Sequence, residues 1–364
     1  MIALPDVFVE HEGIYLLSHS IGLPARGARD AAADYFEVWE SDTSQAWPQW
    51  LGAIDGFREA LSRLIGGQPA SICPQSNVSS ALSKMLGALR QSFDAPTILL
   101  TEDAFPSLGY VCEHAGYVVR YIAADLDATD PAVWKSALSA DVDIVLITHV
   151  HSNTGEQIPV ADIAGIARRQ GVLSIVDVAQ SVGVLPVDVG AWDVDVVVGS
   201  CVKWLSGGPG AGWLWVRPDL IERCTPVDVG WFSHDDPFEF DIHDFRYAGD
   251  ALRFWGGTPT VLPFVIARHS IDAIRSVGVD VIRQHNLAMV DQLVDALGDR
   301  VLSPVRPERR SGTCVIRAGE GAVEVLSGQG IAVDQRRGAI RASPHIHTNE
   351  GDIATLVAAL RALR

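Results

Sequence analysis

The sequence predicts an α/β fold, with a large domain built on a mixed, mostly parallel sheet and a smaller C-terminal α+β domain. Three observations predict it. Short β-branched runs alternate with helical stretches from about residue 97 to residue 216. The runs are continuously apolar, which suits strands covered on both faces. After T-P-T-V-L-P (258–263) the pattern changes to long helical stretches with two further short strands.

In chain order, residues 1–25 form an N-terminal segment expected to pack on the small domain. The helix-like G-A-R-D-A-A-A-D-Y-F-E-V-W-E (27–40) is expected to pack across both domains. The large domain, residues 26–262, takes its strands from T-I-L-L (97–100), Y-V-V-R-Y-I (117–122) and D-I-V-L-I-T-H-V (143–150). It continues with V-L-S-I-V-D-V (172–178), V-D-V-V-V-G (194–199) and G-W-L-W-V (212–216). Between them lies P-V-A-D-I-A-G-I-A-R-R-Q-G (159–171), a helix with Pro159 at its start and Gly171 at its C-terminal cap. Such alternation implies right-handed crossovers, with ligands gathering at the carboxyl ends of the strands. The small domain, residues 263–364, is helical to about 298, with strands near 313–317 and 339–343 and a last helix ending in L-V-A-A-L-R-A-L-R.

Composition narrows the function. A chain of 364 residues that is 48% hydrophobic can bury a sizeable core. Its formal charge of −17 argues against nucleic acid as a partner, because phosphates need a basic footprint. No apolar run reaches membrane-spanning length and no leader pattern is visible, so a cytoplasmic protein is expected. The cysteines Cys73, Cys112, Cys201, Cys224 and Cys314 are scattered, with no C-x-x-C pair. That argues against a zinc ribbon and a disulfide framework, and all five are expected to be reduced and structural.

Lys203 stands in the glycine-rich G-S-C-V-K-W-L-S-G-G-P-G (199–210), just past a buried strand. Desolvating an ammonium is expensive, so either the side chain reaches water or its amine does chemistry. Asp177 ends another strand. The two could form a buried ion pair. A pyridoxal phosphate enzyme needs the same two groups, the lysine for the cofactor's aldehyde and the carboxylate for its ring nitrogen.

Ser76 and Asn77, in I-C-P-Q-S-N-V-S-S-A (72–81), stand at a helix start that serves as an ordinary cap or holds a phosphate. Phe105, in E-D-A-F-P-S (102–107), is either core or a ring stacked on a flat ligand. In H-V-H-S-N-T-G (149–155), His149 and His151 alternate along a strand and could face a metal, whereas Asn153 could reach a phenolic oxygen. Arg341, in R-R-G-A-I-R-A-S-P-H-I-H (336–347), is a solvated edge charge or a bidentate grip for a carboxylate. The chain carries no P-loop, no G-x-S-x-G elbow and no H-E-x-x-H.

Taken in order, these stretches resemble the class V aminotransferase group of fold-type I pyridoxal phosphate enzymes, from about residue 12 to residue 355. I-G-L-P (21–24), A-F-P-S and G-W-F-S-H (230–234) are most similar to kynureninases. The resemblance implies that Lys203 is the Schiff-base lysine and proton shuttle, and that Asp177 pairs with the pyridinium nitrogen. It implies Gln180 and Asn153 at the phenolic oxygen, Phe105 stacked on the ring, and Ser76, Asn77 and Ser200 at the phosphate. Trp231 and Thr258 would reach the neighbouring subunit's cofactor, which implies a homodimer with its active site at the interface. Arg341 would bind the substrate's α-carboxylate, with His19 and Ser20 beside it. The reaction implied is transamination of a small α-amino acid, or C–C or C–S cleavage of its side chain.

Three positions depart from kynureninases: Val202 replaces their tyrosine, Leu108 their aspartate and Gln180 their histidine. Gln180 is similar to cysteine desulfurases, whose mobile cysteine loop is not evident here. A kynureninase-type hydrolase proper is the alternative within the family. A metal-dependent hydrolase using His149 and His151 is the alternative from another class.

Overall fold

A computed structural model describes residues 6–363. Its strands are β1 (Ile14–Tyr15), β2 (Ile72–Gln75), β3 (Thr97–Thr101), β4 (Val118–Ile122), β5 (Ile144–Thr148) and β6 (Leu173–Asp177). They continue with β7 (Val196–Ser200), β8 (Gly212–Val216), β9 (Cys314–Arg317), β10 (Ile331–Ala332), β11 (Asp334–Arg336) and β12 (Ala339–Ala342). Seven form one sheet in the order β2-β8-β7-β6-β5-β3-β4. All neighbouring pairs are parallel except those made by β8, which runs antiparallel to β2 and β7. The apolar runs of β3 and β5 are buried along their whole length, as expected of strands with helices on both faces.

The strand β2 carries no strand signal in the sequence, because Pro74 interrupts it. A proline cannot donate to a ladder and is confined to edges. Accordingly, β2 is an edge strand with a single partner. The order reverses between β3 and β5, since the chain leaves β3 toward β4 and returns on the other side. Such a switch point opens a crevice at the carboxyl ends of the strands.

The long helical stretch of the C-terminal part is two helices, Leu262–Val277 and Val279–Leu297, divided at Gly278, whose φ is +91°. Strands β11, β12 and β9 form an antiparallel sheet covered by the helices Val279–Leu297 and Glu350–Ala362. A second apolar cluster, separate from that of the large sheet, fills the space between them. Each fully buried Leu, Ile or Val there contributes roughly 1.5–3 kcal/mol. The strands β11 and β12 turn through Arg337 and Gly338 alone, with φ of +50° and +78°. A two-residue loop with positive φ at both positions is the tightest hairpin turn, and it fixes the register. That register sets Asp334 opposite Arg341. The N-terminal segment joins this part of the molecule, with β1 parallel to β10 and Leu17 bridged to Ser343.

Candidate active site

A cavity of about 260 Å³ lies at the carboxyl ends of the large sheet. Asn77 reaches it from the end of β2, Phe105 from the loop after β3, Thr148 from β5, Asp177 from β6 and Ser200 from β7. Lys203 and Gln180 complete the wall. Six of the residues singled out in the sequence therefore meet in one space.

Lys203 is half-buried and enters no ion pair among the described residues, so the simple Lys203–Asp177 salt bridge is not formed. Burial holds its amine below the usual lysine range, with Arg341 and Arg336 adding to the effect and Asp177 opposing it. Its Nζ lies 5.8 Å from the Phe105 ring centroid. Asp177 is also buried, and its Oδ1 accepts only the Ala179 N–H at 2.9 Å. Burial pushes this carboxyl above its ordinary value, since one backbone donor and the distant Lys203 charge do not offset desolvation.

Asn77 caps the helix Val78–Leu89, its Oδ1 accepting from Ser80 N–H at 2.9 Å. The first N–H groups of that helix have no backbone partner within it, and Val78 and Ser79 line the cavity; Ser79 was not singled out in the sequence. Its signal was available, because it is the second residue of a capped helix. Two further oxygens, Thr148 Oγ1 and Gln180 Oε1, are buried without any hydrogen-bond partner. Buried polar atoms are nearly always paired, so these two mark places for a ligand's atoms. Gln180 donates one N–H to the His19 carbonyl at 3.2 Å and keeps the other.

Other expected residues lie elsewhere. Asn153 stands at an adjoining cavity of about 450 Å³, where its Nδ2 donates to Asp103 at 2.6 Å and its Oδ1 is unpartnered. Ser76 and Thr258 share a third, small cavity with Lys84, and Trp231 Nε1 donates to Thr258 Oγ1 at 3.3 Å. One chain thus does not bring Ser76, Trp231 or Thr258 to Lys203. Ser20 is exposed.

Arg341, expected at the substrate's α-carboxylate, is paired within the chain. Its Nε donates to Asp334 Oδ1 at 2.8 Å, its Nη2 to Asp334 Oδ2, and its Nη1 to the Ser152 carbonyl at 2.9 Å. His19 joins the same carboxylate through Nε2 at 2.9 Å, and its Nδ1 meets Ser343 Oγ at 2.7 Å. Asp334 accepts only, so the His19 proton sits on Nε2 and Ser343 donates to Nδ1. Burial alone would raise the Asp334 carboxyl, but hydrogen bonds from His19 and Arg341 outweigh it and hold the group below the ordinary carboxylate range.

The two histidines weighed as metal ligands have separate surroundings. His149 packs edge-on against Trp192, while His151 bonds Thr101 Oγ1 at 2.9 Å. No group of three His, Cys, Asp or Glu suited to a metal occurs among the described residues. All five cysteines are free and buried, and burial pushes the Cys314 thiol up to about 12, far from a nucleophilic thiolate. No helix among the described residues is long and apolar enough to cross a membrane.

A mostly parallel sheet whose strand ends gather a half-buried lysine, a buried carboxyl and a helix N-terminus defines an α/β enzyme with a small-molecule site. Comparison with known proteins gives the family. Residues 30–356 match the class V aminotransferase family profile. An uncharacterized aminotransferase, YcbU, of Bacillus subtilis is 27% identical over 314 residues, covering 84% of this chain and 83% of that protein. A kynureninase of Deinococcus radiodurans is 28% identical over 290 residues, covering 77% and 70%. Among solved structures, the lyase C-DES with glycine covalently linked to its pyridoxal phosphate cofactor superposes with a TM-score of 0.89 at 22% identity, covering 97% of both chains. The chain belongs to the class V aminotransferase family, and with it to the fold-type I enzymes built on pyridoxal phosphate.

Proposed function

We propose that this protein uses pyridoxal phosphate held on Lys203 to transform a small α-amino acid, by transamination or by C–C or C–S cleavage of the side chain. One observation carries the reading. An unpaired, half-buried amine shares its cavity with a buried carboxyl and with two unpartnered oxygens, an arrangement costly to keep without a ligand.

The cofactor supplies a ring that accepts the electrons released at the substrate's α-carbon. This chain's residues do the rest. Lys203, its pKa lowered by burial, has more uncharged amine near neutral pH than an exposed lysine, as a nucleophile requires. Once released from the cofactor, the same amine is available to move a proton. Asp177 would keep the ring nitrogen protonated, and that cation would supply the counter-charge the carboxyl now lacks. Phe105 would cover a face of the ring, and Gln180 would offer its remaining N–H to the phenolic oxygen, with Asn153 beside it. The phosphate would rest on the N-terminus of Val78–Leu89 with Asn77, Ser79 and Ser200, where helix dipole and free N–H groups favour an anion.

Trp231 and Thr258 would reach the cofactor of a neighbouring subunit, so the functional unit proposed is a homodimer. Exposed apolar side chains near Trp231, among them Phe240 at 75% and Ile242 at 91% exposure, support this. Five free cysteines support a cytoplasmic location. Kynurenine hydrolysis is the second reading, favoured by the kynureninase relatives. Val202 and Leu108, which both line the cavity where kynureninases carry polar residues, speak against it.

Borohydride reduction of the holoenzyme followed by peptide mapping tests the proposal. The expected label is on Lys203, and a label on any other lysine overturns the assignment.

A further inference from the structure

The residue after Lys203 begins an aromatic stack that leads away from the site. The Trp204 indole is buried and lies over the His345 ring, with centroids 5.9 Å apart and planes 28° from parallel. His345 in turn lies over His347 at 5.9 Å and 5°. Phe8, also buried, stands edge-on to both imidazoles, at 5.0 and 5.6 Å. Phe8 belongs to the N-terminal segment, which goes on to cross the Lys203 loop. There Gly22 N–H donates to the Val202 carbonyl at 2.9 Å, and a Cβ on Gly22 would stand 2.3 Å from the Lys203 oxygen. The loop is thus held through the Trp204 ring and through the segment, and the histidine pair touches both holds.

Hydrogen bonds fix both imidazoles in a neutral form. His345 Nδ1 accepts the Ile346 N–H at 2.8 Å, so its proton is on Nε2. His347 Nε2 donates to the Tyr15 carbonyl at 3.0 Å, which leaves its Nδ1 bare. That Nδ1 is buried without a hydrogen-bond partner among the described residues. A second proton there finds no acceptor and sets a charge against a parallel ring. Burial pushes His345 down to about 3, with His347 adding to the effect. Burial lowers His347 as well, although the Tyr15 carbonyl and Asp352 oppose it. Around the pair stand His285 from the helix Val279–Leu297, Asp352 from the helix Glu350–Ala362, and His11 and Tyr15 from the N-terminal segment. Asp6 and Glu10 line the cavity beside His347.

We propose that the His345–His347 stack positions the Lys203 loop, acting through Trp204 and the N-terminal segment, and that uptake of a proton by the pair releases this hold. The inference rests on the reading of Lys203 as the cofactor's lysine, while the movement of the segment is measured independently of it. The closed arrangement keeps both rings neutral, whereas an opened segment returns them to water and to their ordinary value of 6.5. Below pH 6.5 the open form takes up protons that the closed form refuses. Opening therefore gains up to about tenfold per pH unit for each ring. His19 lies on the same segment and faces Asp334, Arg341 and Lys203, so its titration is the competing cause to separate.

Hydrogen exchange of the holoenzyme at pH 7.5 and 5.5, read by mass spectrometry and corrected for the intrinsic rate, tests it. Peptides covering 14–22 report the segment, and a peptide covering 144–148 reports opening of the whole fold. In wild type, exchange over 14–22 should rise roughly ten- to a hundredfold at the lower pH, ahead of any rise over 144–148. Release of the cofactor, followed by its visible band, should quicken in parallel. His347→Gln keeps a donor for the Tyr15 carbonyl and His345→Phe keeps a ring under Trp204, yet neither takes up a proton. The double variant should lose the pH response of both readouts, and His347→Gln alone should keep at most about tenfold. Thermal melting checks that the variants are folded. A flat response in wild type overturns the inference, and so does an undiminished response in the variants, which assigns it to His19. Exchange that responds while cofactor release does not overturns the link to Lys203. A wild type without the visible band at pH 7.5 overturns the cofactor reading instead, while exchange still decides whether the pair holds the segment.

Discussion

The backbone of Asn77 occupies the space that a side chain at position 212 would need. A Cβ on Gly212 would stand 2.6 Å from the Asn77 Cα and 2.7 Å from its nitrogen. Gly212 pairs with Ser200 on one side and with Gln75 on the other, so it lies between two strands that feed the site. This close approach sets the helix Val78–Leu89 with its N-terminus at the cavity.

Gly212→Ala should therefore displace the start of that helix. The expected cost is about 1–3 kcal/mol of stability, together with weaker retention of cofactor. Thermal melting and a cofactor dissociation constant check it. Unchanged cofactor binding would show that the helix start does not hold the phosphate.

Asp177→Asn should keep the fold and lose turnover by about a hundredfold or more, because an amide cannot hold the ring nitrogen protonated. Steady-state kinetics with the cofactor content measured in parallel decide it. Equal turnover would make Asp177 a structural residue.

The buried histidines predict acid sensitivity. Burial pushes His149 and His345 down to about 3 from an ordinary value of 6.5. Below 6.5 the unfolded chain takes up protons that the folded chain refuses, so stability falls with pH across the window from 6.5 to 3. Each histidine contributes a slope of at most about 1.4 kcal/mol per pH unit. Asp334 acts in the same direction lower down: its lowered pKa stabilises above the ordinary 3.8, and that contribution is lost as pH falls further. Urea unfolding at a series of pH values measures the slope. A flat profile between pH 6.5 and 5 would contradict the buried neutral state of both rings.

The dimer is testable by mixing two inactive variants, Lys203→Ala and the double variant Trp231→Ala/Thr258→Ala. In a mixed dimer with shared sites, one of the two sites has all its native residues. Random exchange should restore activity to roughly a quarter of wild type. No recovery, with exchange confirmed by mass, would place Trp231 and Thr258 outside the partner's site.

Much of the large sheet was legible from sequence. The strands β3 and β5 to β8 are short apolar runs, and burial on both faces leaves little freedom in such a pattern. Lys203 and Asp177 were legible for the same reason, since a charged residue at the end of a buried strand stands out against its surroundings. The strand β2 was not, because Pro74 is tolerated only at an edge and the edge is a property of the assembled sheet.

Alone, the sequence determined the α/β class, the alternation that builds the sheet, and the lysine and carboxylate that meet at its carboxyl edge. Local burial patterns carry that information, because each strand's apolar demand is met wherever the sheet forms. Only the tertiary structure decided how Arg341 is paired. The two-residue turn at Arg337 and Gly338 sets Asp334 across from Arg341, and a fold-wide approach brings His19 from more than three hundred residues away to the same carboxylate. Ion pairing depends on ångström-scale distances between atoms far apart in the chain, which no local pattern encodes.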